Sequence, residues 1–190
     1  MNMVLVTGAT GFVGRSICVR LVLRGHAVRA AVRNKSNIER FQGGSSSAVE
    51  IGNINVTTDW SSALKNIDCV IHCAARAHVM NESEKDPLSV YRQVNVEGTR
   101  RLAEQAAAMG VRRFIFLSSV KVNGEGTALG EKYNRQSPPL PVDAYGQSKW
   151  EAEQALQDVA VKTELEVVII RPPLVYGPGV KGNMARLIKL

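Results

Sequence analysis

Tyr145 and Lys149 stand four residues apart in the stretch DAYGQSK. On a helix that spacing brings both side chains to one face. A free phenol titrates near ~10 and is a poor base at neutral pH. A lysine ammonium beside it favours the phenolate and lowers that value. Such a pair suits a reaction in which hydride moves at an oxygen-bearing carbon, because a proton must then leave or reach that oxygen. The packed face of an ordinary helix has the same spacing, so the pair gains meaning only from its surroundings.

A second set of residues supplies part of them. TGATGFVG places Gly8, Gly11 and Gly14 between a short apolar run and a segment with Val13, Ile17, Cys18, Leu21 and Val22 at helical spacing. In that context Gly8 permits a tight turn, Gly11 lets the backbone approach a pyrophosphate, and Gly14 lets the helix pack closely on a sheet. The helix N-terminus offers free N–H groups and a positive dipole end to phosphates. A tight turn without a ligand is the bland alternative, and three glycines at this spacing count against it. Gly25 stops the helix, and residues 27–32 read as a second strand, closing a βαβ unit of ~30 residues.

The elements that must hold these residues continue the alternation. AVEIGNI reads as a third strand, SSALKNI as a short helix, and DCVIHCAA as a fourth strand opening into a loop. Residues 87–109 read as one long helix ended by Gly110. RRFIFLSS is a fifth strand, AYGQSKWEAEQALQDVA a helix, and LEVVIIRPP a sixth strand. The expected fold class is α/β, a doubly wound and mostly parallel sheet covered on both faces. Two segments interrupt the rhythm. Residues 35–48 are polar and read as a surface loop. Residues 122–142 form a longer one, and connections beyond ~12–15 residues are often functional lids or binding loops.

The chain has 190 residues and 45% hydrophobic content, within the range of one soluble globular core. No apolar run approaches the ~20 residues that span a bilayer. The N-terminus lacks the pattern of a signal peptide, so the cytoplasm is the expected location and a membrane partner is not expected. The net charge of +7 favours anionic partners. No aromatic stacking motif interleaves with a basic patch, so nucleic acid is not an expected partner. Cys69, His72 and Cys73 cluster in CVIHC, but on a strand-like run they read as buried small groups, and no metal site is expected.

The order of these motifs resembles the extended short-chain dehydrogenase/reductase superfamily, and within it the NAD-dependent epimerase/dehydratase family. The glycine loop is of its G-x-x-G-x-x-G type. DCVIHCAA is similar to its motif after the fourth strand, NVEGT to its helix motif, FLSS to the end of its fifth strand and RPPLVYGPG to its motif after the sixth. The resemblance implies a Rossmann domain, here residues 1–177, with residues 178–190 beginning a substrate-binding region. That family builds most of its sugar-nucleotide pocket beyond this point, and its members usually exceed ~300 residues.

Carried over position by position, the resemblance implies four catalytic residues. Tyr145 is the acid/base, Lys149 binds the nicotinamide ribose and tunes Tyr145, Ser119 hydrogen-bonds the reacting oxygen, and Asn95 organises the site. Ser118, one residue earlier, is the alternative to Ser119. Gly8, Thr10, Gly11, Phe12, Val13 and Gly14 would line the pyrophosphate. Ala74, Ala75 and Pro172 would adjoin the dinucleotide, as would Tyr145 and Lys149. Asn53, where the family usually has Asp, and Ile54 would meet the adenine. Arg171 and Tyr176 lie on the loop that makes substrate and cofactor contacts in the family.

The cofactor is expected to be NAD or NADP, with a lean towards NADP. Where NAD-preferring members carry an acidic residue at the end of the second strand, this chain has Val32 followed by Arg33. A guanidinium pairs with a 2′-phosphate that a carboxylate would repel. Arg33 as a solvated strand-end charge is the alternative.

The branch that FLSSVKVNGEG and RPPLVYGPGVKGN resemble is that of UDP-glucose 4-epimerases and UDP-sugar 4-ketoreductases. The expected substrate is a nucleotide sugar, UDP-linked, changed at C4. Asn123 stands where epimerases often have tyrosine, which leaves epimerase and reductase both open. A reductase of non-sugar carbonyls and a non-catalytic dinucleotide-binding protein are the other readings. The superfamily implies a homodimer on the helix faces of residues 87–109 and 144–160, although the sequence itself leaves the oligomeric state open.

Overall fold

The computed structural model describes residues 3–34, 36, 46–77 and 86–180. Its strands are β1 (Met3–Thr7), β2 (Ala27–Val32), β3 (Ser46–Glu50), β4 (Cys69–His72), β5 (Arg113–Leu117) and β6 (Glu166–Ile170). All pair in parallel, in the order β3-β2-β1-β4-β5-β6. The helices are α1 (Phe12–Leu23), α2 (Ser61–Leu64), α3 (Pro87–Arg92), α4 (Gly98–Ala108) and α5 (Ala144–Lys162). This is the doubly wound Rossmann-like sheet that the alternating pattern predicts.

Alternation along the strands sends neighbouring residues to opposite faces. Leu5, Val70, Phe114 and Phe116 face a core completed by Leu102 and Ala106 of α4 and Ala152 and Leu156 of α5. Val4, Val6, Val28, Ala30 and Val32 face the other way, against Cys18, Ile17 and Leu21 of α1. Central strands buried on both faces explain the near-continuous apolar runs. The chain leaves β3 at one edge and returns on the far side of β1. That reversal opens a crevice between β1 and β4 at their C-terminal ends, where ligands bind in such sheets.

Two boundaries differ from the sequence reading. β3 starts at Ser46, inside the segment read as a loop, because its backbone pairs with β2 from Val28–Ser46 onwards. It is an edge strand, where pairing on one side suffices for serines to join. In the rest of that loop residue 36 is described, and residues 35 and 37–45 lie outside the described residues. The long helix is continuous but not uniform. A π-helical turn, Gln93–Glu97, joins α3 to α4. Residues 78–85, after the fourth strand, and 181–190, most of the expected start of a substrate region, lie outside the described residues.

Candidate active site

The glycine loop sits at the crevice. Gly8 has φ +64°, and a Cβ there would lie 2.7 Å from Ala74 N and 2.9 Å from the Cys73 carbonyl carbon. The loops after β1 and β4 therefore touch backbone to backbone, which brings Ala74 and Ala75 alongside Gly8. A Cβ on Gly14 would collide with the Gly8 carbonyl oxygen, so α1 can pack this closely only with glycine there. Gly11 is the N-cap residue of α1 and provides no side-chain cap, and no acidic residue lies in the first turn. The N–H groups and positive end of that helix are left for an anion. A cavity of about 820 Å³ opens beside it, lined by Thr10, Gly11, Phe12, Arg15 and Ser16 together with Val175.

Below the loop a polar strut crosses the core. Thr7 Oγ1 accepts from Ala74 N at 3.1 Å and pairs with His72 Nδ1 at 2.7 Å, while His72 Nε2 pairs with Thr99 Oγ1 at 3.0 Å. Both ring nitrogens are thus engaged, which leaves His72 no lone pair for a metal. Burial, with Lys149 nearby, pulls its pKa down to about 3. Thr7 and Thr99 escaped the sequence reading because they meet only through the tertiary fold.

Tyr145 opens α5 beside Ser119, whose side chain acts on the phenol to favour its ionised form. Ser119 caps the short 3₁₀ turn Val120–Val122 and accepts from Lys121 N at 3.2 Å. Ser118 points elsewhere, donating to Glu153 Oε1 at 2.5 Å. Of the two serines, Ser119 is the one that faces the phenol. Asp143 organises the junction. Its Oδ1 accepts from Gly146 N at 2.6 Å as the N-cap, and its Oδ2 accepts from Lys121 Nζ at 2.6 Å. An Asp three residues before Gly146 was a legible capping pattern that the reading of DAYGQSK passed over.

The electrostatics differ from expectation. Burial is the largest influence on Tyr145 and holds its phenol above the ordinary value, while Ser119 works against it. Lys149, the anticipated tuner, is only 1% exposed and is itself pushed down to about 7 by burial. Its Nζ lies 3.9 Å from the centre of the Phe116 ring. Among the described residues no hydrogen bond reaches that Nζ. A side chain four positions along the helix shares a face with Tyr145, but the buried environment of Phe116, His72 and Cys73 governs its charge.

Asn95 is buried in the π-turn. Its Oδ1 accepts from Arg76 N at 2.8 Å, and its Nδ2 donates to Arg76 O at 3.0 Å and to Ser148 Oγ at 2.9 Å. Ser148 Oγ in turn donates to Tyr145 O at 2.8 Å. Asn95 therefore clamps the loop after β4 to α5 and positions Tyr145 through its backbone. Tyr91, one turn earlier, sets its ring edge-on to Tyr145 at 6.2 Å.

The remaining predicted residues separate. Arg171 is engaged inwards with Glu153, while Tyr176 is largely exposed. Pro172 O accepts from Val120 N at 3.0 Å and ties the loop after β6 to the Ser119 turn. Asn123 Nδ2 donates to Ser137 O at 3.1 Å, and its Oδ1 accepts from Arg171 at 3.3 Å. These bonds anchor the long loop, so asparagine at this position reports on loop anchoring. Arg33 is exposed at the end of β2, and Asn53 is exposed after β3. Ile54 Cγ2 occupies the space 2.5 Å from where a Gly98 Cβ would stand, docking that segment on α4.

These features fit a dinucleotide: a glycine cradle that a Cβ would fill, an uncapped helix N-terminus, and a buried ammonium aimed at no protein acceptor among the described residues. The fold and site define a Rossmann-like α/β domain that carries a Tyr-x-x-x-Lys pair. Comparison with known proteins places it further. The sequence model of the NAD dependent epimerase/dehydratase family matches residues 4–190, and the chain belongs to that family. It is 49% identical over 188 residues to a UDP-glucose 4-epimerase of Vibrio cholerae, covering 98% of this chain and 56% of that protein. Two solved structures are similar. One is MoeE5 in complex with UDP-glucuronic acid and NAD, with 31% identity, TM-score 0.82, and coverage of 99% of this chain and 60% of that one. The other is UDP-glucuronic acid 4-epimerase from Bacillus cereus in complex with NAD, with 28% identity, TM-score 0.83, and coverage of 98% and 62%. The chain spans little more than half the length of these relatives.

Proposed function

We propose that the protein acts at C4 of a nucleotide sugar, as a UDP-glucose 4-epimerase-like enzyme using NAD(P). The observation that carries this reading is the meeting of Tyr145, Ser119 and the buried Lys149 beside the glycine loop, in a chain of this family. Residues 1–177 act as the dinucleotide-binding domain, and the sugar-binding part begins at residue 178.

The bound dinucleotide supplies the acceptor and donor of hydride for C4. The chain's own residues handle position and protons. Gly8, Thr10, Gly11, Phe12, Val13 and Gly14 hold the pyrophosphate through the open end of α1. Ala74, Ala75 and Pro172 shape the crevice wall, and Asn53 and Ile54 receive the adenine. Lys149 binds the nicotinamide ribose, which gives its ammonium the acceptors it otherwise lacks. Tyr145 exchanges a proton with the C4 oxygen, and Ser119 hydrogen-bonds the same oxygen. Placing a cation next to Tyr145 lowers the cost of its phenolate, offsetting the burial that raises it.

Mass spectrometry of the cofactor that co-purifies with the protein separates the two C4 chemistries. An epimerase retains NAD through turnover and interconverts UDP-glucose and UDP-galactose, whereas a 4-keto-sugar reductase purifies empty and consumes NADPH. In either case Tyr145→Phe is expected to lower turnover by ~10²–10⁴-fold with cofactor affinity retained. Unchanged turnover in that variant removes Tyr145 from the acid/base role.

A further inference from the structure

Tyr145, Lys149 and Glu153 follow one another at four-residue intervals along α5, so they form a single stripe facing β5 and β6. Glu153 is 1% exposed, and a carboxylate buried that deeply is costly unless it is paired and hydrogen-bonded. Its partners come from both strands that carry the site. Ser118 Oγ donates to Oε1 at 2.5 Å. Arg171 Nε donates to Oε1 at 2.9 Å and to Oε2 at 3.2 Å, and Arg171 Nη2 donates to Oε2 at 2.5 Å. Ser118 immediately precedes Ser119, and Arg171 immediately precedes Pro172. The backbones of the two segments are themselves paired, with Ser118 N to Ile170 O at 2.7 Å and Val120 N to Pro172 O at 3.0 Å.

We propose that Glu153 is a positioning residue of the redox site: one buried carboxylate that fixes the ends of β5 and β6 against α5, and so sets Ser119 against Tyr145 while serving as the fixed counter-charge of Lys149. The proposal rests on the function proposed above. The groups that face Lys149 from other elements are His72 and Cys73 at the end of β4 and the Phe116 ring on β5. Burial pulls His72 down to about 3 and pushes Cys73 up to about 11, so neither is charged at neutral pH. Glu153 is the carboxylate that acts on Lys149 in favour of its ammonium, against the desolvation that opposes it. Arg171 contacts both oxygens of Glu153 from the side of β6 and also bonds Asn123, so the carboxylate is held in place between β6 and α5.

The test uses the chain with isotopically labelled lysine and tyrosine, with Lys149 and Tyr145 titrated by NMR and NAD(H) affinity measured alongside. In Glu153→Gln, the Lys149 ammonium is expected to titrate at lower pH and NAD(H) to bind at least tenfold more weakly. Glu153→Asp keeps the charge and is expected to restore much of both. Ser118→Ala leaves every charge in place, and if Glu153→Gln does not fold it decides the matter. Loosening Ser119 in this variant is expected to push the Tyr145 phenol up. The proposal is overturned if the folded Glu153→Gln protein keeps the Lys149 midpoint and an NAD(H) affinity within twofold of wild type, or if Ser118→Ala leaves the Tyr145 titration where it was. A protein that responds in this way yet never alters a UDP-sugar keeps the positioning role and loses the sugar chemistry. An epimerase indifferent to Glu153→Gln does the reverse.

Discussion

Lys149 shows how burying a single charge bears on stability. Its ammonium is buried against an aromatic face, and burial brings its pKa to about 7 from an ordinary 10.5. The unfolded chain therefore binds an extra proton between about pH 7 and 10.5, so Lys149 destabilises the fold at and below neutral pH and ceases to do so as pH rises through that window. Lys149→Met is expected to stabilise the protein by about 1–3 kcal/mol at pH 7 and to abolish cofactor binding. In urea titrations the gap between variant and wild type should close towards pH 10.5. A variant that is less stable at pH 7 contradicts the buried-charge account. Arg33 is the second residue-scale test. It is exposed at the end of β2, where a guanidinium could pair with a 2′-phosphate. Arg33→Ser is expected to weaken NADPH binding roughly tenfold and to leave NADH within twofold. Equal losses for both would assign Arg33 to general attraction of anions.

Elements meet at the site through gaps that glycine leaves. Gly146, in the first turn of α5, lies where an added Cβ would stand 2.7 Å from the Lys121 carbonyl oxygen. That contact seats the Ser119 turn on the helix that carries Tyr145. Asp143 ties the N-terminus of the helix to Lys121 of the same turn. Gly146→Ala is expected to cost about 1–3 kcal/mol in thermal or urea unfolding and to lower activity more than the stability loss alone explains. A variant of full activity would show that the turn tolerates displacement. The π-turn works at the same scale. It interrupts an otherwise regular helix at Asn95, whose amide reaches the loop after β4 and α5 together. π-turns recur at functional sites, and sequence periodicity does not distinguish one from continuous helix.

At the scale of the molecule, the face that carries α1 is covered over β1 and β2, whereas Val168 and Ile170 of β6 are 40% and 45% exposed. Among the described residues no helix is long and apolar enough to cross a membrane. The charge of +7 favours association with anions. Their association rates are expected to fall several-fold as salt rises from 0.02 to 0.3 M, as the Debye length shortens through ~10 Å at 0.1 M. Stopped-flow binding that ignores salt would mean that local contacts alone capture the cofactor.

The sequence by itself determined the doubly wound sheet, its mostly parallel character and the place of the glycine loop. Those depend on local spacing: apolar runs for strands buried on both faces, helical periodicity between them, and glycine where backbones approach. It also placed Tyr145 and Lys149 on one helix face. Tertiary structure decided which serine meets Tyr145, because Ser118 and Ser119 differ by one position and only their partners on α5 separate them. It also decided the charge of Lys149. A pKa follows from desolvation and from neighbours such as Phe116, Cys73 and Glu153, and the fold brings these together from β4, β5 and α5. Glu153 and Gly146 were in plain view beside the motif, yet their roles arise from contacts with Arg171, Ser118 and Lys121, which spacing along one helix cannot encode.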